Sequence, residues 1–499
     1  DSLANIRSLI TKPYNLPADR TLQLTIDQLA ELTQSSIENS LLTGQGSLVV
    51  TAVRPGLDTL RTSDGLRLVN DALNKLPNSF QALTVQVEGA LNLTTPGSDQ
   101  ILGLLIDQAK RRDAVDANNA LKFSDDRLVV AADANLTITA AQLLANDLQG
   151  VVVAGTATTG QAQPRLTLTE VTGTQDLSRL DGNLVTTAVF GSNQTIDVAK
   201  LVSPGRGVDA ISYASNTLTL SAASADVLQG LFLASSTGRL QITGYSGQNL
   251  SSLNNKAGSI DLNLPGVQTL AAAAVPAKAT LTITGNTLVE ANDAVLLKDR
   301  LVNGNPSGSI PGEVRVLGYT NQDLTVAASA DLSRSKPEGL KLTVQVSGSA
   351  DISGLEGNRL AEADEINIAS GGLLKLTTAQ ALGGSLLASR IQGVSGGALT
   401  IINYNGENLG AIAPAAGPLA IDFVLSNNAD LRTIPVADLL SSTADADTLT
   451  IPTGKTLQLT ADQAFAVKTK LTGQGSLRIS DYTNQDLTQA GTGFLGLSV

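Results

Sequence analysis

Short clusters of aspartate are the residues of this sequence whose type and spacing could do chemistry. Asp125 lies next to Asp126, and Asp445 lies two residues before Asp447, in stretches with the composition of loops. Carboxylate oxygens at this density are ligands that Ca²⁺ prefers. The two pairs therefore predict surface calcium sites, although neither fits the twelve-residue loop of an EF-hand. Solvated acidic turns are the alternative interpretation.

A second group of carboxylates could carry out glycoside hydrolysis. Glu362, Asp364 and Glu365 lie close together in the sequence, and glycoside hydrolases use a pair of carboxylates as acid and as base or nucleophile. Aromatic rings usually line sugar sites, but the chain has six Tyr, seven Phe and no Trp. We therefore interpret the three residues as part of a solvated connector and predict that the chain is not an enzyme.

Nucleophilic and phosphate-binding chemistry lack the residues that they need. The chain contains no His and no Cys, which excludes Ser-His-Asp and Cys-His catalysis and makes zinc sites improbable. The stretch PTGKT from Pro452 resembles a phosphate loop, but Leu449 occupies the position where the first glycine is required. We expect no cofactor besides calcium.

The composition is that of an acidic chain that can bury a core. Of its 499 residues, 42% are hydrophobic, 16% are charged and 3% are aromatic, and the net charge is −12. Since no basic stripe could neutralise phosphates, nucleic acid is not an expected partner. No apolar run is long enough to predict a membrane span. The lack of Met predicts a processed form or a fragment, and the lack of all oxidisable sulfur fits an extracellular location.

Repetition explains most of the remaining sequence. LTGQGSL occurs from Leu42 and again from Leu471, preceded by TLQLTIDQ from Thr21 and by TLQLTADQ from Thr456. Looser copies of this first word are NLTITAAQ from Asn135, TLTLSAAS from Thr217, TLTITGNT from Thr280 and LLKLTTAQ from Leu373. The sequence therefore predicts six related units.

Two further words follow the first. The second is YTNQDLT, from Tyr319 and again from Tyr482, and the third includes LTVQVEG from Leu83 and LTVQVSG from Leu342. The last unit ends 11 residues after its second word. Because we recognise no third word there, we predict that this unit lacks one strand and exposes an unpaired edge.

The second word is interpreted as a structural turn. Asp323 and Asp486 are expected to accept hydrogen bonds from backbone N–H groups, as aspartates do in Asx turns. The leucines that follow them would fill the core. Tyr319 and Tyr482 are expected to pack their rings and to keep their hydroxyl groups in water.

The words also predict the fold. TLQLT alternates apolar and polar residues as a half-buried strand does, and in four units a shorter strand precedes it across Gly, Asn, Asp or Pro, which predicts a β-hairpin. A short helix and two more strands complete each unit. We therefore predict a mainly β, elongated chain of tandem β-rich units with one short helix each. A parallel β-solenoid is the alternative.

The positions of the words set the expected boundaries. We predict an N-terminal arm at 1–18, unit 1 with a helical insertion at 19–119, unit 2 at 120–205, unit 3 at 206–274, unit 4 at 275–360, unit 5 at 361–440 and an incomplete unit 6 at 441–499. The arm or the first unit of one molecule is expected to complete the last unit of the next by strand addition.

The stretches TLTIPTGKTLQLTADQ, LTGQGSLRI and YTNQDLT, together with the acidic, Cys-free composition, resemble the repetitive extracellular proteins of bacteria, such as surface-layer proteins, matrix filament subunits and large secreted adhesins. The resemblance implies a structural protein at the bacterial cell surface that polymerises with copies of itself, contacts cell-surface polysaccharide and binds calcium. A stalk fragment of an adhesin and an enzyme that acts on polysaccharide are the alternatives.

Overall fold

The chain is mainly β and divides into two compact units, Asp1–Gln241 with Ser252–Ser259 and Ile242–Ser251 with Ile260–Val499. Within each unit, parallel sheets form a β-solenoid. The computed structural model describes residues 14–25, 28, 42–53, 82–94, 127–145, 151–234, 236–266, 269–305, 310–324, 339–354, 360, 363–382, 390–407, 419–435, 447–488 and 496–498.

The described strands recur in sets, and we name the six positions of a set a to f in chain order. The first set is β1 (Tyr14–Leu16), β2 (Thr21–Thr25), β3 (Leu42–Gly44), β4 (Ser47–Val53), β5 (Ala82–Val87) and β6 (Ala90–Asn92). The second is β7 (Arg127–Val130), β8 (Asn135–Thr139), β9 (Val152–Ala154), β10 (Arg165–Thr169), β11 (Val185–Phe190) and β12 (Gln194–Thr195). An antiparallel pair, β13 (Val202–Ser203) and β14 (Arg206–Gly207), follows the second set.

The third set is β15 (Ala210–Tyr213), β16 (Thr217–Ser221), β17 (Arg239–Thr243), β18 (Ser259–Leu264) and β19 (Thr269–Leu270), with a single bridge from Ile211 to Phe232 at position c. The fourth is β20 (Thr280–Ile283), β21 (Asn286–Glu290), β22 (Leu301–Asn303), β23 (Glu313–Leu317), β24 (Lys341–Val346) and β25 (Ser349–Asp351). The fifth is β26 (Glu365–Ile368), β27 (Leu373–Thr377), β28 (Ile391–Gly393), β29 (Ala398–Tyr404), β30 (Ala420–Leu425) and β31 (Ala429–Asp430). The sixth is β32 (Thr448–Ile451), β33 (Thr456–Thr460), β34 (Leu471–Gly473), β35 (Ser476–Ser480) and β36 (Gly496–Ser498).

A six-stranded sheet takes one strand from every position, in the order f–b–d–e–a–c. This order is complete in two sheets of the second unit, β19-β21-β23-β24-β26-β28 and β25-β27-β29-β30-β32-β34. In the first unit, the five-stranded sheet β2-β4-β5-β7-β9 covers positions b to c of this order. The five-stranded sheet β6-β8-β10-β11-β15 covers positions f to a. Strands a and b of one set, although adjacent in sequence, therefore lie in different sheets.

The core is built by stacking like residues from turn to turn. Leu376, Ile401, Phe423, Leu449 and Leu471 are successive register partners across β27, β29, β30, β32 and β34, and all five are buried. Because alternate residues of a strand point to opposite faces, TLQLT buries its two leucines and leaves its polar residues outside. Each fully buried Leu or Ile stabilises the fold by about 1.5–3 kcal/mol.

The predicted β-hairpins are wrong, and the solenoid alternative is confirmed. Strand β32 pairs in parallel with β30, whereas β33 pairs in parallel with β35. The residues between β32 and β33 form a corner, closed by a hydrogen bond of 3.0 Å from Lys455 N–H to the Pro452 carbonyl and by Gly454 at φ 76°. The other three predicted hairpins, β7 with β8, β15 with β16 and β26 with β27, are corners of the same kind.

The short helices predicted after the first word are confirmed where the chain is described. The helices are α1 (Ala140–Ala145), α2 (Val198–Leu201), α3 (Ala222–Leu228), α4 (Ala291–Leu297), α5 (Thr378–Leu382) and α6 (Ala461–Val467), and all except α2 follow a b strand directly. Three short 3₁₀ helices lie at Ser251–Leu253, Ala272–Ala274 and Lys298–Arg300. In unit 1, the sequence predicts the helix after the first word at residues 27–42 and the helices of the insertion at residues 65–76 and 98–112. These ranges fall almost entirely outside the described residues.

A capping box explains the recurring T-x-x-Q of the first word. At the start of α6, Gln463 N–H donates to Thr460 Oγ1 (3.2 Å) and Thr460 N–H donates to Gln463 Oε1 (2.8 Å). The same glutamine donates through Nε2 to the carbonyls of Leu431 (2.8 Å) and Ile434 (2.7 Å) in the preceding turn. The word therefore starts a helix and also ties two turns together.

The glycines of LTGQGSL explain why this stretch recurs unchanged. Gly473 has φ 105°, a left-handed conformation that favours glycine. A Cβ on Gly475 would overlap the Ile451 side chain, and a Cβ on Gly46 would overlap that of Leu16. Both copies therefore lie directly against the corner that joins an a strand to a b strand.

Three segments differ from what the words predict. TLTI from Thr280 is an a strand, and the b strand of that set is Asn286–Glu290. Within the predicted arm, Tyr14–Leu16 form an a strand that pairs with Leu42–Gly44. The last unit does contain a strand at the position of the third word, so the prediction that it lacks one is wrong. This strand, Gly496–Ser498, pairs with β35 as β5 pairs with β4, so that Gly496 corresponds to Ala82.

Candidate functional site

The described residues include one member of the predicted calcium pairs, Asp447. Its carboxylate is buried and accepts a hydrogen bond of 3.3 Å from Ile421 N–H. Asp447 immediately precedes an a strand, and Ile421 is the second residue of the neighbouring e strand. The arrangement therefore caps the start of a parallel strand pair.

The same cap recurs in two other sets. Asp364 accepts from Leu342 N–H at 2.9 Å, and Asp209 accepts from Thr186 N–H at 2.8 Å. Each aspartate precedes an a strand, and each donor is the second residue of an e strand. Asp126 has the same place in the sequence, directly before Arg127. The signal that suggested a metal ligand is thus also the signal of a recurring strand cap.

The remaining predicted ligands, Asp125, Asp126 and Asp445, lie outside the described residues. Within the described part of the chain, no three acidic side chains come together in a way that could hold a metal ion. Calcium binding at the two pairs stays a prediction.

The carboxylates considered for glycoside hydrolysis have other partners. Glu365 Oε2 lies 2.8 Å from Lys341 Nζ, and the hydrogen bond from this ammonium lowers the pKa of Glu365. The same bond raises the pKa of Lys341. Lys341 Nζ also lies 3.8 Å from Glu313, so the outer face of this sheet carries a ladder of alternating charge across β23, β24 and β26. Glu362 lies outside the described residues.

The turn at Asp486 behaves as predicted for the second word, whereas the turn at Asp323 continues outside the described residues. Leu324 is buried as expected, but Leu487 is only half-buried, so the expectation that it fills the core is wrong. Asp486 accepts from Thr488 N–H at 3.1 Å and from Thr488 Oγ1 at 2.7 Å, and hydrogen bonding to Thr488 lowers the pKa of Asp486. Asp176 with Ser178 and Asp351 with Ser353 repeat this geometry. The residue between the two polar partners is buried in these earlier turns, as in Leu177 and Ile352.

The tyrosines of the second word differ in burial. Tyr245, Tyr319 and Tyr404 are at most 1% exposed, and their hydroxyl oxygens are buried as well. The expectation of a solvated hydroxyl is therefore wrong for Tyr319, and Tyr245 and Tyr404, in looser copies of the word, are buried in the same way. Tyr482, in the last set, is 49% exposed.

A cavity of about 330 Å³ lies beside the antiparallel pair β13–β14 in the first unit. Val202, Val208, Val227 and Leu231 give it an apolar lining, and Arg206 supplies a positive charge. Asp209 also lines the cavity, but its carboxylate serves as the strand cap of Thr186. The cavity offers no pair of groups suited to acid–base or nucleophilic catalysis.

The largest exposed apolar side chains of the last set are Phe465, Tyr482 and Leu497, each 45–49% exposed. Leu497 lies in β36, the outermost strand of the four-stranded sheet β31-β33-β35-β36. Its counterpart in β24, Leu342, is 6% exposed because another strand, β26, lies beyond it. This end of the second unit is therefore a candidate surface for interaction.

Comparison of the chain with protein-family models, with curated proteins and with solved structures gave no match. Among the helices in the described segments, none has both the length and the apolar character that crossing a membrane requires.

Proposed function

We propose that this chain is a structural protein that assembles with copies of itself into a filament or a surface lattice outside the cell. The observation that carries the proposal is the β-solenoid itself, whose parallel sheets repeat one strand order and stack like residues from set to set. A repeating scaffold of this kind presents the same surface features in successive sets, which suits regular contacts with further copies.

The use of the recurring polar residues supports a structural role. Gln463 links turns, Asp447 caps a strand pair and Asp486 closes a turn. These side chains make hydrogen bonds within the fold, and equivalent residues do so in other sets. The recurring polar residues therefore hold the scaffold together. The proposal therefore assigns no catalytic residue and no enzymatic activity to the chain.

Location and partners belong to the same proposal. The absence of Cys, Met, His and Trp suits a long-lived extracellular protein, and a bacterial cell surface is the expected setting. Surface polysaccharide and calcium are proposed as accessory partners of the assembled form. An adhesin stalk is the second candidate, because a β-solenoid also suits a stalk, and it predicts particles that stay single.

Electron microscopy of the purified chain, with calcium and with chelator, tests the proposal. We expect ordered filaments or sheets, and their loss in chelator would identify calcium as a component of the joints. Order that persists in chelator would remove calcium from the proposal and leave self-assembly in place. Single particles in both conditions, over a wide range of protein concentration, would contradict self-assembly and favour the stalk.

A further inference from the structure

We infer that the cavity beside β13–β14 binds a small zwitterion of the chemical class of arginine, with a guanidinium group, an apolar stem and a carboxylate. The cavity lies wholly within the first unit, and its binding of a ligand is independent of the self-assembly proposed above. The basis of the inference is a difference between sets. Later sets place an arginine side chain of the chain itself where the third set has this cavity.

The difference lies at the residue directly before position c. A cation precedes position c in the last three sets, at Arg300, Arg390 and Lys470. In the third set the same position is Leu231. Ile211 N–H donates to the Leu231 carbonyl at 2.8 Å, just as Leu449 N–H donates to the carbonyl of Lys470 at 2.8 Å. The third set therefore lacks the positive charge that the later sets have at this place.

The two arginines of the later sets have a defined contact. Arg390 Nη1 donates to the carbonyl of Ala363, and Arg300 Nη1 donates to the carbonyl of Pro276, each at 2.7 Å. Both carbonyls belong to the residues that lead into an a strand. The side chain therefore ties the start of position c to the turn before position a.

The third set has a cavity where this tie would be. Leu231 and Val208 both line it. Leu231 is the counterpart of Arg390, and Val208, directly before the strand cap Asp209, is the counterpart of Ala363. A leucine side chain has no hydrogen-bond donor. A ligand with a guanidinium group would restore the donor that the later sets supply from within the chain.

Two charged groups on the cavity wall match the two ends of a zwitterion. Asp209 Oδ2 accepts from Thr186 N–H at 2.8 Å, whereas Asp209 Oδ1 has no partner among the described residues. Arg206 is exposed, and its guanidinium forms no ion pair or hydrogen bond within the described part of the chain. A carboxylate prefers the paired donors of an arginine. Asp209 therefore suits the cationic end of the ligand, and Arg206 suits its carboxylate.

The apolar wall and the volume suit the stem of such a ligand. Val202, Val227 and Leu231 line the cavity between the polar groups, and Val227 is 61% exposed. The methylene groups of an arginine-like ligand would cover this apolar surface. The volume of about 330 Å³ lies at the small end of the range for ligand sites, about 300–1,000 Å³. The cavity therefore fits a single amino acid better than a polymer.

The antiparallel pair β13–β14 forms a fixed wall of the cavity. A Cβ on Gly182 would overlap the carbonyl of Gly205, so the turn of this pair lies directly against the residue before it. Val208 N–H donates to the carbonyl of Leu201 at 3.0 Å and closes the pair onto α2. Insertions into a repeat often lie on the face of a solenoid that binds. This departure from the six-strand order is therefore a preformed place for a ligand.

Isothermal titration calorimetry of the full chain with L-arginine tests the inference. We expect L-arginine to bind at least tenfold more tightly than agmatine, which lacks the carboxylate, and than norvaline, which lacks the guanidinium group. The dipeptide Gly-Arg distinguishes free arginine from the end of a peptide, because it keeps both groups and blocks the α-amino group of the arginine. No heat of binding with millimolar L-arginine, or equal binding of agmatine, would overturn the inference.

Variants of the two charged residues place the binding in this cavity. Arg206→Gln and Asp209→Asn should each weaken L-arginine binding at least fivefold, and asparagine at position 209 can still accept from Thr186. The control Arg165→Gln removes an exposed arginine of β10 that does not line the cavity, and it should leave binding unchanged. Equal affinities in all three variants would mean that arginine binds elsewhere, which overturns the inference.

A further variant rebuilds the arrangement of the later sets. Leu231→Arg should fill the cavity with a guanidinium group of the chain itself and abolish binding of L-arginine, whereas Leu231→Met should keep it. Undiminished binding in a folded Leu231→Arg variant would contradict the inference, and the variants at Arg206 and Asp209 decide if this protein does not fold. Loss of the site would leave self-assembly standing, and single particles in the microscope would leave the site standing.

Discussion

Tyr319 and Tyr482 begin the same heptapeptide, YTNQDLT, yet Tyr319 is 0% exposed and Tyr482 is 49% exposed. Tyr319 N–H donates to the carbonyl of Gln345, the fifth residue of an e strand, at 3.3 Å. Beside Tyr482, the aligned e strand β36 spans Gly496–Ser498, and Ser498 corresponds to Thr343, two positions before Gln345. Burial of the tyrosine therefore depends on the neighbouring strand and not on its own heptapeptide.

This difference predicts unequal effects of one substitution at two identical words. Tyr319→Ala should lower the free energy of unfolding by about 3–5 kcal/mol, since it removes a large side chain from a packed core. Tyr482→Ala should change it by less than about 1 kcal/mol in the single chain, because half of the side chain already contacts water. Urea denaturation followed by circular dichroism measures both. Equal losses at the two sites would mean that Tyr482 is buried in solution.

The Tyr482→Ala variant also bears on assembly. If the end of the second unit is covered by another copy, this variant should raise the protein concentration needed for ordered assembly. Tyr319→Ala, where it still folds, should leave that concentration unchanged.

The hairpins were predicted because a short strand, a turn residue and another short strand are a local signal for chain reversal. The segment from Thr448 to Thr460 carries that signal. What decides between a hairpin and a corner is the partner of each strand, and these partners, in β30 and β35, lie outside the segment. Repeats, strands and helices could therefore be predicted locally, whereas the pairing of strands could not.

Local sequence patterns predict the candidate site only in part, for the same reason. Aspartates cluster around Asp447 in the sequence, but its carboxylate contacts the backbone N–H of Ile421, 26 residues earlier. Aspartate directly precedes four of the six a strands, at Asp126, Asp209, Asp364 and Asp447, and this recurrence is the sequence signal of the strand cap.

The hydrogen bonds from Gln463 to the preceding turn predict that replacing this residue lowers the free energy of unfolding. Gln463→Leu removes the donors to the carbonyls of Leu431 and Ile434 and breaks the capping box with Thr460. Because the two carbonyls then lack this donor in a buried place, we expect the free energy of unfolding to fall by about 2–4 kcal/mol. Gln458→Leu, on the outer side of the adjacent b strand, is the control and should change it by less than about 0.5 kcal/mol. Similar free energies of unfolding for the two variants would contradict a stabilising role of the Gln463 hydrogen bonds.

A buried threonine in the core predicts a stabilising substitution. Thr287 is 0% exposed, occupies the position of Leu457 in its b strand, and its hydroxyl has no hydrogen-bond partner among the described residues. Thr287→Val should therefore raise the free energy of unfolding by about 1 kcal/mol, since it removes an unpaired buried hydroxyl at nearly constant volume. Thr282→Val, on the outer face of the preceding a strand, serves as the control. An unchanged or lower stability in Thr287→Val would show that the hydroxyl is satisfied.

The Asp-x-Ser/Thr turns and their relative Asp430 predict how stability depends on pH. Hydrogen bonds from Ser178, Ser353 and Thr488 lower the pKa values of Asp176, Asp351 and Asp486. Hydrogen bonds from Arg432 lower the pKa of Asp430 from 3.8 to about 2. A carboxyl group whose pKa is lower in the folded chain stabilises the fold above its unfolded pKa. That contribution is lost as the pH falls from 3.8 towards 2.

Replacing all four carboxylates with amides should therefore reduce the loss of folding stability at low pH. Asparagine already occupies the equivalent turn position at Asn92 and Asn249, where its side-chain oxygen accepts the same backbone N–H bond. In thermal melts from pH 7 to pH 2, the variant with Asn at 176, 351, 430 and 486 should melt below the native chain at pH 7, and the two curves should converge near pH 2. A control variant with Asn at the exposed positions 19, 226, 299 and 462 should keep the native pH dependence. A constant difference between the native and four-turn curves across this range would mean that the turn carboxylates are not the source of the acid sensitivity.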